Sequence, residues 1–600
     1  MSEIKIQQGL EYIENNFSDG KQSSLEERKS LLKRCTLSVS GLRFICSDDE
    51  HSLSTTPERS VIEFVMTAVD EFSKMIPKIN EKPVVWLGMD ARPTGPVFLS
   101  IAYHILKANN FEVKLIGYAP IPEIMAACHQ SKSDAFCYFT ASHNPAGHNG
   151  LKLGFSSGKV LNKKDATPLI EAIKKNYHSG EHLETLWKHA LNNSETISIG
   201  GNKKMSLEYY QNFSTQTIAN LDSHAFAQNI KTKVKAGTKI VIDFNGSSRL
   251  SSVDQVLLNE CGFDLELIGE EIGVFNHAII PEGKSLDDAQ NKLDALLKDK
   301  RSVFFALVPD CDGDRGNLIV PIEGKATKLK AQETFALCAL AEVCGLRVSG
   351  YDGPIALAVN GPTSLRLEKI LEPFDVKIVR AEVGEANVLA MVDILKEEGY
   401  RVPLSGEGSN GGNIIDGTTV RDPLMSMLSL IKFVYPSSDD SMSASDYYFS
   451  KCPAQKGQST IEKVISTFPN WYSTDAFETE AIMPVPQIEH EILKSNYEKI
   501  FPQKFIEDIN FWKKIGVDDY RILSIEGTET IVGPGGRPQP GKGGFKIELF
   551  SKKECKGFMW MRGSGTEPVF RVLVDWIEQD EHAIELLEYH RNLITLSSQS

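Results

Sequence analysis

The chain has 600 residues, more than one hydrophobic core usually serves, so three or four domains are expected. Its content of 41% hydrophobic and 24% charged residues is ordinary for a soluble globular protein. A net charge of −15 and a pI near 5.5 argue against non-specific nucleic-acid binding and against docking on anionic lipid, but leave the capture of a small anion to local basic residues.

Residues 3–34 alternate charges with leucine and isoleucine at helical spacing and predict a helical lead-in. The N-terminus lacks the apolar stretch of a signal peptide, and no apolar run approaches the roughly 20 residues needed to span a bilayer. The ten cysteines stand without a Cys-x-x-Cys pair, many inside apolar runs. They predict reduced core thiols in a cytoplasmic protein with neither membrane nor nucleic-acid partner.

A unit then recurs three times. Pro83–Asp90 is an apolar strand closing on a turn, Phe111–Ile116 is a second strand, and Ala135–Phe139 is a third that delivers the turn Thr140-Ala141-Ser142-His143-Asn144-Pro145. Lys239–Gly246, Phe263–Ile268 and Val303–Val308 repeat the order, ending on Pro309-Asp310-Cys311-Asp312-Gly313-Asp314-Arg315. Pro354–Gly361, Phe374–Val379 and Tyr400–Leu404 repeat it again, ending on Ser405-Gly406-Glu407-Gly408-Ser409-Asn410-Gly411-Gly412-Asn413. Strand and helix alternating at this spacing predict right-handed crossovers and a mostly parallel sheet in each unit. Ligands collect at the carboxyl ends of such strands, where all three loops lie.

Residues 430–500 break the pattern; Ser437–Ser441 and Cys452–Gly457 resemble linkers. A different unit closes the chain, with the turn Gly533–Pro538, strands at Phe545–Leu549 and Phe570–Val574, and Arg562-Gly563-Ser564-Gly565-Thr566-Glu567-Pro568 between them. The expected domains are 1–205, 206–325 and 326–435, each α/β, then a linker and helical insertion at 436–500 and a smaller α+β domain at 501–600.

Asp310, Asp312 and Asp314 alternate, so a tight loop can turn three carboxylates onto one hard cation such as Mg²⁺. A calcium EF-hand is excluded: Arg315 replaces its glycine, Pro321 its final glutamate, and a strand precedes the loop instead of a helix. Arg562, Ser564, Gly565 and Thr566 offer a guanidinium, two hydroxyls and open backbone N–H groups, a cradle for phosphate; Arg571, five residues beyond Thr566, either reaches the same anion or pairs with a neighbouring acid. Spacing alone leaves Lys152 and Arg43 as surface charges, and gives His143 and His148 no mark of a triad base. No Gly-x-Ser-x-Gly elbow is present, which disfavours an esterase.

Three motifs in this order resemble the α-D-phosphohexomutases, the superfamily of phosphoglucomutase, phosphomannomutase and phosphoglucosamine mutase. They are Thr140–Pro145 with Asn149-Gly150-Leu151-Lys152, then Asp310-x-Asp312-x-Asp314-Arg315, then Arg562-x-Ser564-Gly565-Thr566-Glu567-Pro568, and the likeness spans roughly 35–600. The resemblance implies three α/β domains with mixed, mostly parallel sheets and a smaller C-terminal domain around a central cleft. It makes Ser142 a phosphoserine bridged by Mg²⁺ to Asp310, Asp312 and Asp314. Arg43 and Lys152 would contact that phosphate, with Lys152 in proton transfer and His143 beside them in the catalytic set. Arg315, Glu407, Ser409 and Asn410 would bind the sugar, and Arg562, Ser564, Gly565, Thr566 and Arg571 its non-reacting phosphate.

The implied reaction interconverts hexose 1- and 6-phosphates of glucose or mannose, through a hexose 1,6-bisphosphate such as glucose 1,6-bisphosphate. Glucosamine phosphate is the near alternative, and a phosphosugar-binding protein without turnover is the alternative of another class. The protein is expected as a monomer or homodimer. Two loops depart from the common pattern. Gly406–Gly412 stands where many members have Gly-Glu-x-Ser-Gly-His, and Glu385 where many have histidine or lysine. Sugar preference rests on these two loops.

Overall fold

A computed structural model describes the chain except residues 1, 39–40, 47–48, 78, 192–197, 437–440, 453–458, 485–487, 534–540, 542, 564–568, 578–579 and 600. The chain divides into two compact units, Met1–Ala326 with Thr419–Met425, and Thr327–Thr418 with Ser426–Ser600.

The first unit opens with α1 (Ser2–Phe17) and α2 (Leu25–Arg34), the latter started by a capping box between Ser24 and Glu27. Its first sheet contains β1 (Thr36–Ser38), β2 (Gly41–Ile45), β3 (Val84–Met89), β4 (Glu112–Tyr118), β5 (Ala135–Phe139) and β6 (His148–Phe155). Their spatial order is β1-β2-β6-β5-β3-β4. β3 lies between β4 and β5, parallel to both, and β6 runs antiparallel to β5. β5 is buried throughout, which its unbroken run Ala-Phe-Cys-Tyr-Phe predicts for a strand covered on both faces. The second sheet has β7 (Lys239–Asp243), β8 (Asp264–Ile268), β9 (Val303–Pro309), β10 (Gly316–Ile322) and β11 (Lys325–Lys328), ordered β11-β10-β9-β7-β8. Again the first strand, β7, sits between the second and third, and β10 returns antiparallel to β9.

In the second unit β12 (Ile355–Asn360), β13 (Val376–Ala381), β14 (Leu404–Glu407) and β15 (Gly412–Ile415) form a third sheet, β13-β12-β14-β15, on the same plan. The nine expected strands are all present, each within a few residues of its expected place. Each repeat also carries a fourth strand, β6, β10 or β15, which leads out of the ligand loop antiparallel to the third. The turn residues between third and fourth strands therefore form hairpin tips, not strand-to-helix connections.

The segment expected as a linker and helical insertion contributes β16 (Trp471–Ser473) and β17 (Ile482–Pro484). Both pair antiparallel with the last strand of the C-terminal sheet, so that sheet begins ahead of residue 501. Three-residue strands carry no periodic signal, and only pairing with a distant partner defines them. The sheet is completed by β18 (Asp519–Glu526), β19 (Glu529–Val532), β20 (Gly544–Ser551), β21 (Glu554–Gly563) and β22 (Val569–Ile577). Its core joins Ile547, Met559 and Val572 to Leu493, Tyr497 and Leu586 of the helices His490–Glu507 and Asp580–Ser598. Of the expected linkers Ser437–Ser441 and Cys452–Gly457 and the turn Gly533–Pro538, all but Ser441, Cys452 and Gly533 lie outside the described residues. All ten cysteines are free thiols, and seven are buried.

Gly150 permits the closest approach in the first sheet. A Cβ there would lie 2.1 Å from the Leu42 carbonyl oxygen and 2.8 Å from that of Thr140. Gly150→Ala should part β2 from β6 and cost about 2 to 3 kcal/mol, read as a lower urea midpoint at unchanged m.

Candidate active site

β5 ends at Phe139, and the turn before β6 holds Ser142 at φ +55°, a left-handed conformation that costs a non-glycine residue about 1–2 kcal/mol. Its N–H donates to Thr140 Oγ1 at 2.8 Å, and its carbonyl accepts from Arg92 at 2.7 Å. Ser142 is fully buried, with Oγ 3.4 Å from His143 Nδ1. Burial, reinforced by the charges of Arg315 and Arg43, holds His143 well below the usual imidazole range. A neutral ring nitrogen therefore faces the hydroxyl.

Pairing of β2 with β6 sets Arg43 opposite Gly150, and Lys152 follows two residues on, on the same face of β6. Lys152 Nζ donates to Asp312 Oδ2 at 2.8 Å and to Asp314 Oδ2 at 2.9 Å. Burial opposes its charge, but the two carboxylates outweigh that and raise its pKa, so it stays protonated. Burial and the nearby Arg315 push Arg43 down to about 10, which still leaves it charged at neutral pH.

The acidic loop is the hairpin tip between β9 and β10. Asp310 Oδ1 accepts from the N–H groups of Asp314 and Arg315, both at 3.2 Å, and Gly313 N–H donates to the Asp310 carbonyl at 3.2 Å. Gly313 is left-handed at φ +65°, and a Cβ there would stand 2.6 Å from Arg249 Cγ. All three aspartates are buried, and each keeps one oxygen without a hydrogen-bond partner: Asp310 Oδ2, Asp312 Oδ1 and Asp314 Oδ1. The three residues offer carboxylate oxygens within 4.8 Å of one another. Buried unpaired carboxylate oxygens are costly, and an oxygen-seeking divalent cation satisfies three at once. Burial together with Asp312 and Asp314 raises Asp310 well above the usual carboxylate range. Burial acts likewise on Asp314, but Arg421, Lys152 and Arg315 outweigh it and hold that carboxyl far below its ordinary value.

Arg421 is a site residue that the sequence reading missed. It donates to Asp314 Oδ2 at 2.7 Å, and both groups are buried. Its neighbour Asp422 accepts from Leu424 N–H at the start of an apolar helix, so Arg421-Asp422-Pro423 reads in sequence as a helix start. Nothing local names a carboxylate a hundred residues earlier. Arg421→Met should leave Asp314 with Lys152 as its remaining close partner and cost about 3 kcal/mol, read by urea unfolding.

In the second unit, Glu407 Oε1 accepts from Gly384 N–H at 2.8 Å, which joins the two loops that depart from the family pattern. Ser409 is buried with its Oγ accepting from Asn360 at 2.9 Å. Asn410 Nδ2 donates to Glu407 Oε2 at 3.3 Å, while its Oδ1 is buried without a partner. Arg562 and Arg571 face each other across β21 and β22. Arg562 pairs with Glu382 at 3.3 Å, and Arg571 donates to the Ala476 carbonyl at 2.8 Å and stacks on Phe477. Like charges directly opposed on a sheet destabilise it, and a shared anion removes that cost. Ser564, Gly565 and Thr566 lie outside the described residues.

The first unit thus assembles Ser142, His143, Lys152, Arg43 and the 310–315 loop. The second assembles Glu407 with Asn410, and Arg562 with Arg571.

Residues 50–180 match the family model of phosphoglucomutase/phosphomannomutase alpha/beta/alpha domain I, and residues 333–451 that of domain III. The fold is shared with a phosphoglucomutase/phosphomannomutase family protein from Burkholderia thailandensis at TM-score 0.57 and 15% identity, covering 94% of this chain and 97% of that one. It is shared also with the phosphoprotein pp63/parafusin, a phosphoglucomutase from Paramecium, at TM-score 0.58 and 14% identity, covering 94% and 95%. The chain belongs to the α-D-phosphohexomutase superfamily. Among curated members of that superfamily, a phosphoglucosamine mutase from Sulfurovum sp. (strain NBC37-1) is 26% identical over 383 residues, 63% of this chain and 76% of the relative. Another, from Caldanaerobacter subterraneus subsp. tengcongensis, is 26% identical over 502 residues, 83% of this chain and 87% of the relative.

Proposed function

We propose that this superfamily member is a mutase that interconverts hexose 1-phosphate and hexose 6-phosphate through phosphorylated Ser142. The observation that carries the reading is the single buried site joining Ser142, its neutral histidine, Lys152 and three aspartates with unpaired oxygens. Phosphoryl transfer asks for positioning and charge stabilisation more than for covalent help, and these groups provide both.

Phosphoserine 142 gives its phosphoryl group to the free hydroxyl of a bound hexose monophosphate. The bond from phosphorus to the serine oxygen breaks, one to the sugar oxygen forms, and the hydroxyl proton passes to a neighbouring base. Neutral His143 can accept such a proton, and charged Lys152 can return one. The resulting 1,6-bisphosphate turns over and hands its other phosphate back to Ser142. A divalent cation, Mg²⁺, on Asp310, Asp312 and Asp314 supplies charge neutralisation for the transferring group when bound. Arg43 and Arg315 add positive charge, while Arg562 and Arg571, with Ser564, Gly565 and Thr566, hold the phosphate that does not react. Glu407, Ser409 and Asn410 bind sugar hydroxyls; Ser409 Oγ accepts from Asn360 and keeps its own O–H to donate. The working compartment is the cytoplasm; among the described residues no helix is long and apolar enough to cross a membrane.

The sugar is glucose or mannose on the sequence reading. A second reading, glucosamine, is favoured by the names of the curated relatives. Purified protein with Mg²⁺ and a trace of glucose 1,6-bisphosphate, offered each of the three 1-phosphates, should isomerise at least one and stop with EDTA. Turnover of glucosamine 1-phosphate alone would overturn the first reading of the sugar. No turnover of any, with binding retained, would make the chain a phosphosugar-binding protein.

A further inference from the structure

Arg92 lies just beyond β3, outside every motif that marks the site. It is fully buried, as is Asp90, and its Nε donates to Asp90 Oδ2 at 3.1 Å. Nη2 donates to the carbonyls of Ser142 at 2.7 Å and Asn144 at 2.6 Å. Nη1 donates to the His148 carbonyl at 3.0 Å and to the Pro145 carbonyl. All five N–H groups of the guanidinium are thereby used, one on a carboxylate and four on carbonyls of a single turn.

We propose that Arg92 is the positioning residue of the catalytic turn, aimed by Asp90 and holding Ser142 in its left-handed conformation for phosphoryl transfer. The assignment rests on the reading of Ser142 as the phosphorylated residue. A saturated guanidinium has no donor left for a substrate phosphate, which separates Arg92 from Arg43 and Lys152. It acts on backbone alone. A turn that needs a positive φ at a non-glycine residue relaxes unless its carbonyls are fixed, and four are fixed here by one rigid fork. Asp90 is fixed in turn: its N–H donates to the Phe139 carbonyl at 2.9 Å, and its Oδ1 accepts from Arg92 N–H at 2.9 Å. The second repeat offers a partial parallel in Arg249, which follows β7, pairs with Asp254 at 2.8 Å and donates to the Gly313 carbonyl at 2.7 Å in the acidic loop, with Asp422 and Tyr210 as its further partners. In each case a buried arginine after the first strand of the repeat braces the loop after the third.

The test uses full-length wild type, Arg92→Lys and Asp90→Asn. Lysine keeps the charge beside Asp90 but has three donors on one atom; asparagine keeps the shape of Asp90 but loses the charge that aims the fork. Each is mixed with Mg²⁺ and glucose 1,6-bisphosphate, and the appearance of phosphate on Ser142 is timed by quenched intact-mass measurement. KM for the isomerised hexose phosphate and the thermal midpoint are measured alongside. Arg92→Lys should slow phosphorylation about a hundredfold while KM stays within about threefold, because misplacing a nucleophile by about 1 Å costs on that order without touching the groups that bind substrate. Asp90→Asn should slow it about tenfold. A merely structural role would lower the thermal midpoint and leave the rate below it unchanged. Phosphorylation of both variants at the wild-type rate overturns the assignment and leaves the mutase reading standing. If Arg92→Lys does not fold, Asp90→Asn decides alone. Absence of phosphate on wild-type Ser142 overturns the mutase reading, and the role of Arg92 falls with it.

Discussion

Ser142→Ala is expected to lower isomerisation by about four orders of magnitude or more, in a protein that still folds. The size follows from the role: a residue that carries the transferred group in a covalent intermediate has no substitute when its oxygen is removed. The retention of fold follows from the contacts. The Ser142 backbone is held by Thr140 Oγ1 and Arg92, neither of which touches the hydroxyl. What the substitution removes is one long contact to His143 at 3.4 Å, so stability should change by less than about 1 kcal/mol. A coupled isomerisation assay and a urea unfolding curve on one preparation check both halves. Surviving turnover would place the chemistry on another residue.

Asp310→Asn should separate metal binding from folding. An asparagine Oδ1 can keep the two backbone N–H bonds that Asp310 accepts from Asp314 and Arg315. What disappears is the second carboxylate oxygen, which is buried and has no partner, and the charge that Asp312 and Asp314 oppose. Without metal the variant should therefore be at least as stable as wild type, since it sheds a repulsion and no hydrogen bond. With Mg²⁺ the order reverses. Wild type gains stability as RT ln(1 + [Mg²⁺]/Kd), about 2.7 kcal/mol at a hundredfold excess over Kd, while the variant gains almost none. Its turnover should fall by about two orders of magnitude or more, because the loop can no longer present three carboxylates to one cation. Melting curves with and without Mg²⁺, beside the isomerisation assay, test this. A variant that melts lower without metal would show that the Asp310 charge stabilises the loop, contrary to the geometry.

Much of the architecture was legible because each repeat writes its strands as apolar runs that parallel sheets bury on both faces. β3, β7 and β12 were readable for that reason, and so were the loops that follow β5, β9 and β14. The fourth strands were not, since His148–Phe155 mixes glycine, lysine and histidine into its apolar residues and takes its register from β5 and β2. The alternating aspartates pointed to a candidate cation site, because such close charges call for a counterion. Their protein partners were hidden. Lys152 is ambiguous until β6 is known to lie beside the acidic loop, and Arg421 looks like part of a helix start until it is seen on Asp314. Arg92 has one local partner, Asp90, which reads as an ordinary turn pair; its other four are backbone carbonyls 50 to 56 positions ahead in sequence. In the sugar loop the sequence left Ser409 and Asn410 equal. Their surroundings differ, Ser409 accepting from Asn360 at the end of β12 and Asn410 donating to Glu407, and no pattern within the loop encodes the first of these contacts.

The central claim is that Ser142 carries the transferred phosphate. Its most direct test is to incubate the purified protein with Mg²⁺ and glucose 1,6-bisphosphate, digest it, and locate any phosphate by peptide mass spectrometry. One phosphoryl group on Ser142, lost on chasing with the hexose monophosphate that is turned over and absent from Ser142→Ala, is the predicted result. Turnover with phosphate on another residue, or with none on the protein, would contradict it.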